Sequence, residues 1–154
     1  MPFSSEENIE DSALQLVIYT DGGSRGNPGP SAIGVCVQIL SNKKTEIVAE
    51  LSETIGIATN NVAEYKALLK GLKTAVEMEA DSAIFYLDSR LVVEQMQGNW
   101  QIKNEDLKRF HKLATGFTAL IPHPYFRYIP REKNIHADWL VNHALDFKQK
   151  RLKA

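Results

Sequence analysis

The feature that most constrains this chain is an apolar run, Leu14 to Tyr19, that leads into an acid, Asp21, and then into a loop crowded with turn formers: Gly22, Gly23, Gly26, Pro28, Gly29 and Pro30. A near-continuous run with β-branched residues suits a strand buried on both faces, and such strands lie at the centre of a sheet. Asp21 is therefore expected at the end of a central strand. A carboxylate there is costly to desolvate unless it gains a proton or a cation. The loop predicts a tight hairpin whose backbone can lie against a ligand, with a second strand starting near Ala32. Alone, Asp21 reads equally well as an exposed acid opening a turn, so the rest of the chain has to supply its company.

Composition narrows the class. At 154 residues, 44% of them hydrophobic and 24% charged, the chain is the size of one domain with its own core. A net charge of −1 excludes a binder that grips nucleic acid by overall positive charge, though not one with a local basic face. The single cysteine, Cys36, lies in an apolar run, cannot form an internal disulfide, and reads as a core residue in a reducing compartment. No segment reaches the roughly 18 apolar residues of a membrane span, and the acidic start is the opposite of a signal peptide's basic region. A cytoplasmic protein without membrane contact is expected. Residues 1–12 are expected to be disordered, 13–148 to form the folded domain, and 149–154 to be a loose basic tail.

Further along, Ala32 to Leu40 and Ile47 to Ile55 read as two antiparallel strands joined by the polar turn Ser41 to Lys44. Val62, Leu69, Leu72 and Val76, flanked by Tyr65, Leu68 and Ala75, have helical spacing, and Thr59 or Asn60 would cap that helix. Ala83 to Leu87 is a short apolar run ending in Asp88, a repeat of the strand-then-acid pattern. Leu91 to Met96 predicts a short helix closed by Gly98, and Leu107 to Phe117 another. Tyr125 to Ile129 is a fifth strand broken by Pro130, and Asn134 opens a last helix. Three strands in hairpin succession, then helices alternating with strands, predict a mixed α/β sheet covered by helices.

Two acids, Asp21 and Asp88, therefore terminate apolar strands, and the carboxyl ends of parallel neighbours lie side by side. Glu64, early in the long helix, and Asp138, early in the last, are flanked by residues that the apolar stripes turn inward. Each has a bland reading: Glu64 and Asp138 as favourable charges near helix N-termini, Asp88 as a cap. Converged without a cation, each close pair of carboxylates would cost on the order of 4 kcal/mol at about 4 Å in an effective dielectric near 20. A divalent metal removes that cost, and all-oxygen ligands favour Mg²⁺ or Mn²⁺ over zinc.

The blocks YTDGGSRGNPGPSAIG, TNNVAEYKALLKGL, FYLDSRLVVEQMQGNW and IPREKNIHADWLVNHA resemble, in order and spacing, the four signature blocks of type 1 ribonuclease H, in the form that lacks a basic protrusion. The resemblance covers Leu14 to Leu145. It implies a ribonuclease H-like α/β fold, a five-stranded mixed sheet of order 3-2-1-4-5 flanked by helices, and a metal site made of Asp21, Glu64, Asp88 and Asp138. It also implies a Mg²⁺-dependent endoribonuclease that holds two ions, with Mn²⁺ a possible substitute. Such an enzyme cuts the RNA strand of RNA/DNA hybrids to leave 5′-phosphate and 3′-hydroxyl ends. By the same resemblance Asp21 would bridge both ions, Asp138 would hold the water-activating ion, and Glu64 with Asp88 the other. Gly22, Gly23, Asn27, Thr59, Asn60, Asn61, Ser89 and Arg131 would contact substrate, the hairpin residues close to the 2′-hydroxyls and the helix start on a phosphate. No obligate protein partner is implied, and a monomer is expected.

The chain departs from the family pattern in two places. Met96 to Glu105 is short, with only Trp100 and Lys103 in place of a basic, Trp-rich insertion, so substrate affinity is expected to be modest. The loop Ile129 to Asn134 lacks the histidine many members carry; Arg131 is the expected stand-in, with His136, which otherwise reads as an ordinary helix flank, as the alternative. Two other readings compete: a catalytically silent hybrid-binding module, and a nuclease of the same fold acting on duplex RNA, DNA junctions or transposon ends. The full set of acids argues against the first, and the DGGSRGNPGP hairpin against the second.

Overall fold

The structure, a computed structural model, describes the backbone of residues 13–153 and the side chains of 13–148. Residues 1–12, expected to be disordered, lie outside the described residues. Among those described, the chain order is β1 (Gln15–Ser24), β2 (Gly29–Ser41), β3 (Lys44–Ala58), α1 (Asn60–Glu77), β4 (Ser82–Leu87), α2 (Arg90–Met96), α3 (Glu105–Thr118), β5 (His123–Tyr128), a 3-10 turn (Arg131–Lys133) and α4 (Ile135–Lys153). The last helix thus takes in, as backbone, most of the basic segment expected to be loose.

The strands form one sheet of order β3-β2-β1-β4-β5, as expected. β1 pairs antiparallel with β2 and parallel with β4, and β4 pairs parallel with β5. The central position of β1 accounts for its apolar run: Leu16, Val17 and Ile18 are all buried. The β2 to β3 turn is closed by Asn42 and Lys43, both at positive φ (53° and 64°), the pairing that matches the right-handed twist of a two-residue hairpin.

Helix starts follow the chemistry of their caps. The hydroxyl of Thr59 accepts from the Val62 N–H at 3.2 Å, Ser89 from Val92 at 3.3 Å, and Asn104 from Leu107 at 3.1 Å. The buried face of α1 is Ala63, Tyr65, Ala67, Leu68, Gly71, Leu72 and Ala75, so Val62, Leu69 and Val76 flank the stripe rather than centre it. The small residues bring α1 close to β1: a Cβ on Gly71 would touch the methyls of Thr20 and Ile18. The main core lies on this face, among Ile18, Val37, Tyr65, Phe85, Val92 and Leu107. A smaller cluster of Ala32, Val141, Ala144 and Leu145 lies under α4 on the other face. No helix among the described residues is long and apolar enough to cross a membrane.

Candidate active site

β1 does not stop at its acid. The strand continues to Ser24 because its antiparallel partner β2 goes on supplying hydrogen bonds, with Asp21 opposite Gly34 and Ser24 opposite Ser31. What stops beside Asp21 is the parallel partner: the last β1 to β4 pair is Thr20 with Leu87. The sheet therefore has a notch on the β4 side of Asp21, and Asp88 is the first residue past the end of β4. The sequence located the acid correctly relative to β4 but placed the end of β1 too early.

Alternation along β1 sets which way each side chain points. Thr20 and Gly22 face α1, since a Cβ added to Gly22 would collide with the Ala63 backbone. Asp21 shares the opposite face with Gly34, where an added Cβ would collide with the Ala137 carbonyl of α4. Glu64, one turn into α1, and Asp88 reach the notch as well. Asp21, Glu64 and Asp88 each present a carboxylate oxygen, and these atoms all lie within 4.8 Å of one another. Asp138, in the first turn of α4, lines the same cleft of about 400 Å³ but stands outside that trio.

The electrostatics are those of carboxylates crowded together and partly buried. Asp21 and Glu64 are buried, at 6% and 7% exposure. Burial pushes the Asp21 carboxyl up to about 7, a hydrogen bond with Glu64 opposes the rise, and the charges of Asp88 and Asp138 add to it. Glu64 is driven well above the usual carboxylate range by burial first and by Asp21 second. Asp88 is raised by burial and held back by a hydrogen bond from Asn134 and by the charge of Arg131. The Glu64 Oε2 atom is buried without a hydrogen-bond partner among the described residues. Such an orphaned oxygen, inside a donor set made only of carboxylates, fits a hard divalent cation.

The other expected site residues divide. Gly22, Gly23, Asn60 and Arg131 line the cleft, together with Ser24 and Arg25 of the hairpin. Arg131 is 81% exposed and sits 3.7 Å from Asp138. Asn27, Thr59, Asn61 and Ser89 lie outside the lining; Thr59 and Ser89 are helix caps, and Asn61 is exposed in the first turn of α1. The Asn27 side-chain oxygen accepts from the Asn60 N–H at 3.0 Å, while the Asn60 side-chain oxygen accepts from the Ser24 N–H, also at 3.0 Å. These bonds register the hairpin against the start of the helix that carries Glu64. His136 turns away from the cleft to Glu50 on β3, 2.8 Å distant, in keeping with its reading as a flank.

Sequence reasoning missed two contacts. Arg25 crosses the cleft rim to α4, 2.6 Å from Asp146 and 3.2 Å from the Asn142 side-chain oxygen. Asn134, 1% exposed, donates to both the Thr20 carbonyl and Asp88. Neither leaves a signal in the sequence, because an arginine in a turn reads as solvated and an asparagine before a helix reads as a cap.

Residues 19–144 match the family model described as reverse transcriptase-like. The chain is 42% identical over 133 residues to the bifunctional protein Rv2228c of Mycobacterium tuberculosis, covering 86% of this chain and 36% of that protein. It is 42% identical over 132 residues to ribonuclease HI of Halobacterium salinarum, covering 83% of this chain and 63% of that one. The chain thus spans about a third and under two thirds of the length of these relatives. Among solved structures, LC11-RNase H1 in complex with RNA/DNA hybrid superposes with a TM-score of 0.79 at 41% identity, covering 87% of this chain and 99% of that one.

Proposed function

The chain belongs to the type 1 ribonuclease H family, and from that membership we propose that it is an endoribonuclease that hydrolyses the RNA strand of RNA/DNA hybrids. The observation that carries this reading is the trio Asp21, Glu64 and Asp88, with carboxylate oxygens within 4.8 Å of one another at a notch in the sheet. A hybrid lies on the related LC11 enzyme, which supports the same substrate class here.

Asp21, Glu64, Asp88 and Asp138 would hold two Mg²⁺ ions, with Mn²⁺ able to replace them. When bound, the ions supply charge that activates a water and steadies the leaving oxygen of an in-line phosphoryl displacement, so that the 5′-phosphate stays on the downstream fragment. The chain's own residues do the rest. At Gly22 and Gly23 the hairpin brings backbone rather than side chains to one wall of the cleft, which would let a ribose approach closely enough for its 2′-hydroxyl to be read. Asn60, at the start of α1, faces the cleft with the positive end of the helix behind it, a setting suited to phosphate. Arg131, 3.7 Å from Asp138, would meet the charge that develops on the scissile phosphate. Asn27 and Thr59 support these contacts indirectly, by holding the hairpin and the helix start in register.

The test is a cleavage panel with Mg²⁺: labelled RNA/DNA hybrid, duplex DNA, duplex RNA and single-stranded RNA. Internal cuts in the RNA of the hybrid, with duplex DNA intact, are expected. Equal cleavage of duplex DNA would sink the assignment of substrate class, and an inert protein would return it to the class of silent binding modules.

A further inference from the structure

Asn134 occupies the position immediately before α4, and its carbonyl accepts from the Asp138 N–H at 3.1 Å, closing the first turn of that helix. An asparagine at such a position ordinarily turns its side chain onto the helix's free N–H groups. This one points elsewhere. Its Nδ2 donates to the Thr20 carbonyl at 2.9 Å and to Asp88 Oδ2 at 2.9 Å, and its Oδ1 is buried with no hydrogen-bond partner among the described residues. The orientation of the amide is forced, because both neighbours are acceptors and only the NH₂ can face them.

One side chain, almost fully buried, thereby connects three parts of the cleft: the β1 backbone next to Asp21, the Asp88 carboxylate, and by its own backbone the turn that carries Asp138. An Asp88 side chain just past a strand end would otherwise rotate among its rotamers and toward solvent, since it is only partly buried. Asn134 engages one of its oxygens. Leaving an oxygen of Asn134 unpaired in the interior carries a desolvation cost, one that a purely structural asparagine would avoid by capping its helix.

We propose that Asn134 is a positioning residue that fixes the Asp88 carboxylate toward Asp21 and Glu64, so that the trio is set for a divalent cation before one arrives. This rests on the metal-binding reading of those acids given above. Partners that orient metal-ligating carboxylates are typically worth about 10–100-fold in metal affinity.

The experiment is a calorimetric titration of the purified protein with Mn²⁺ and with Mg²⁺, alongside thermal unfolding in EDTA, for the parent and for Asn134→Ala. Positioning predicts an Mn²⁺ affinity lower by about tenfold or more, with the KM for hybrid changed far less than kcat. A role confined to structure predicts a lower melting temperature with Mn²⁺ affinity within twofold of the parent, and that result overturns the proposal. Should Asn134→Ala fail to fold, the parent itself decides: the Asn134 side-chain NH₂ resonances should shift on Mg²⁺ titration with the same midpoint as the calorimetry, and unmoved resonances at saturating Mg²⁺ overturn the proposal. If the parent binds neither ion, the metal-site reading falls and takes this inference with it. If the parent binds and Asn134→Ala binds equally well, only this inference falls.

Discussion

Gly22 of β1 and Ala63 of α1 meet backbone to backbone, so closely that a Cβ on Gly22 would fall inside van der Waals contact with the Ala63 carbonyl and the Glu64 N–H. This contact places Asp21, one residue before Gly22, and Glu64, one residue after Ala63, at the same corner of the cleft. No side chain stands between the two main chains, so the backbone positions that carry the two acids cannot part without moving an element of the fold.

Gly22→Ala is therefore expected to destabilise the protein by at least the 1–3 kcal/mol typical of overpacking, read as a lower denaturant midpoint, and to lower turnover by parting Asp21 from Glu64. Gly23→Ala is the comparison, since its added Cβ would meet only one side-chain methyl of Val141, at 3.3 Å, and no backbone. It should cost less than about 1 kcal/mol. Equal damage from both would mean that the hairpin is generally intolerant and that the Gly22 contact has no special role.

Asp88→Asn should reduce turnover to less than about one hundredth of the parent's while leaving the metal-free fold intact or stabilised. The substituted amide still offers an oxygen to the Asn134 NH₂, and one charge leaves a cluster whose members raise one another's proton affinity. Turnover near the parent's would remove Asp88 from the site.

Without metal, stability should fall as pH rises. Asp21 has a folded-state value near 7 against an ordinary 3.8, and Glu64 and Asp88 are raised too. The folded state thus binds more protons than the unfolded chain. The resulting stability is fully present below about pH 4 and is lost as pH climbs through about 7, with Asp21 contributing up to about 4 kcal/mol. In EDTA the part of the melting profile due to these groups should be lower at pH 8 than at pH 5, and Mg²⁺ or Mn²⁺ should restore it at pH 8. A profile that rises from pH 5 to pH 8 in EDTA and ignores the metal would contradict the cluster.

Much of this site was legible in the sequence because its logic is local. The strand-then-acid pattern of Asp21 and Asp88 reflects two parallel neighbours, and Glu64 lies a fixed turn beyond the Thr59 cap. Asp138 was less accessible: it reaches the cleft, yet lies outside the trio, because the distance from α4 to the notch depends on how the helix seats on β2 at Gly34. The extension of β1 past Asp21 was hidden for a related reason, since a glycine-rich stretch reads as loop until the pairing with β2 is known. Asn27 was read as a substrate contact and Asn134 as a helix-start residue, but their partners lie 33 and 46 to 114 positions away. No pattern in the sequence records such contacts.

Arg131 offers a sharper mechanistic test. It lies beside Asp138 on the cleft rim but is 81% exposed, so its pairing adds little to stability. Arg131→Ala should leave the melting temperature unchanged and lower kcat at saturating hybrid by about tenfold or more. Lys103→Ala, outside the cleft lining, should change only affinity and its salt dependence. Normal turnover for Arg131→Ala would mean that the loop supplies no cation to the chemistry.

The most direct measurement uses one hybrid carrying different labels on its RNA and DNA strands, incubated with the parent protein in Mg²⁺ and in EDTA. Internal cuts in the RNA label alone are expected, only with Mg²⁺, as is their loss in Glu64→Gln, which keeps the shape of a buried side chain (7% exposed) and removes its charge. Cuts in the DNA label, cleavage that survives EDTA, or a Glu64→Gln protein as active as the parent would contradict it.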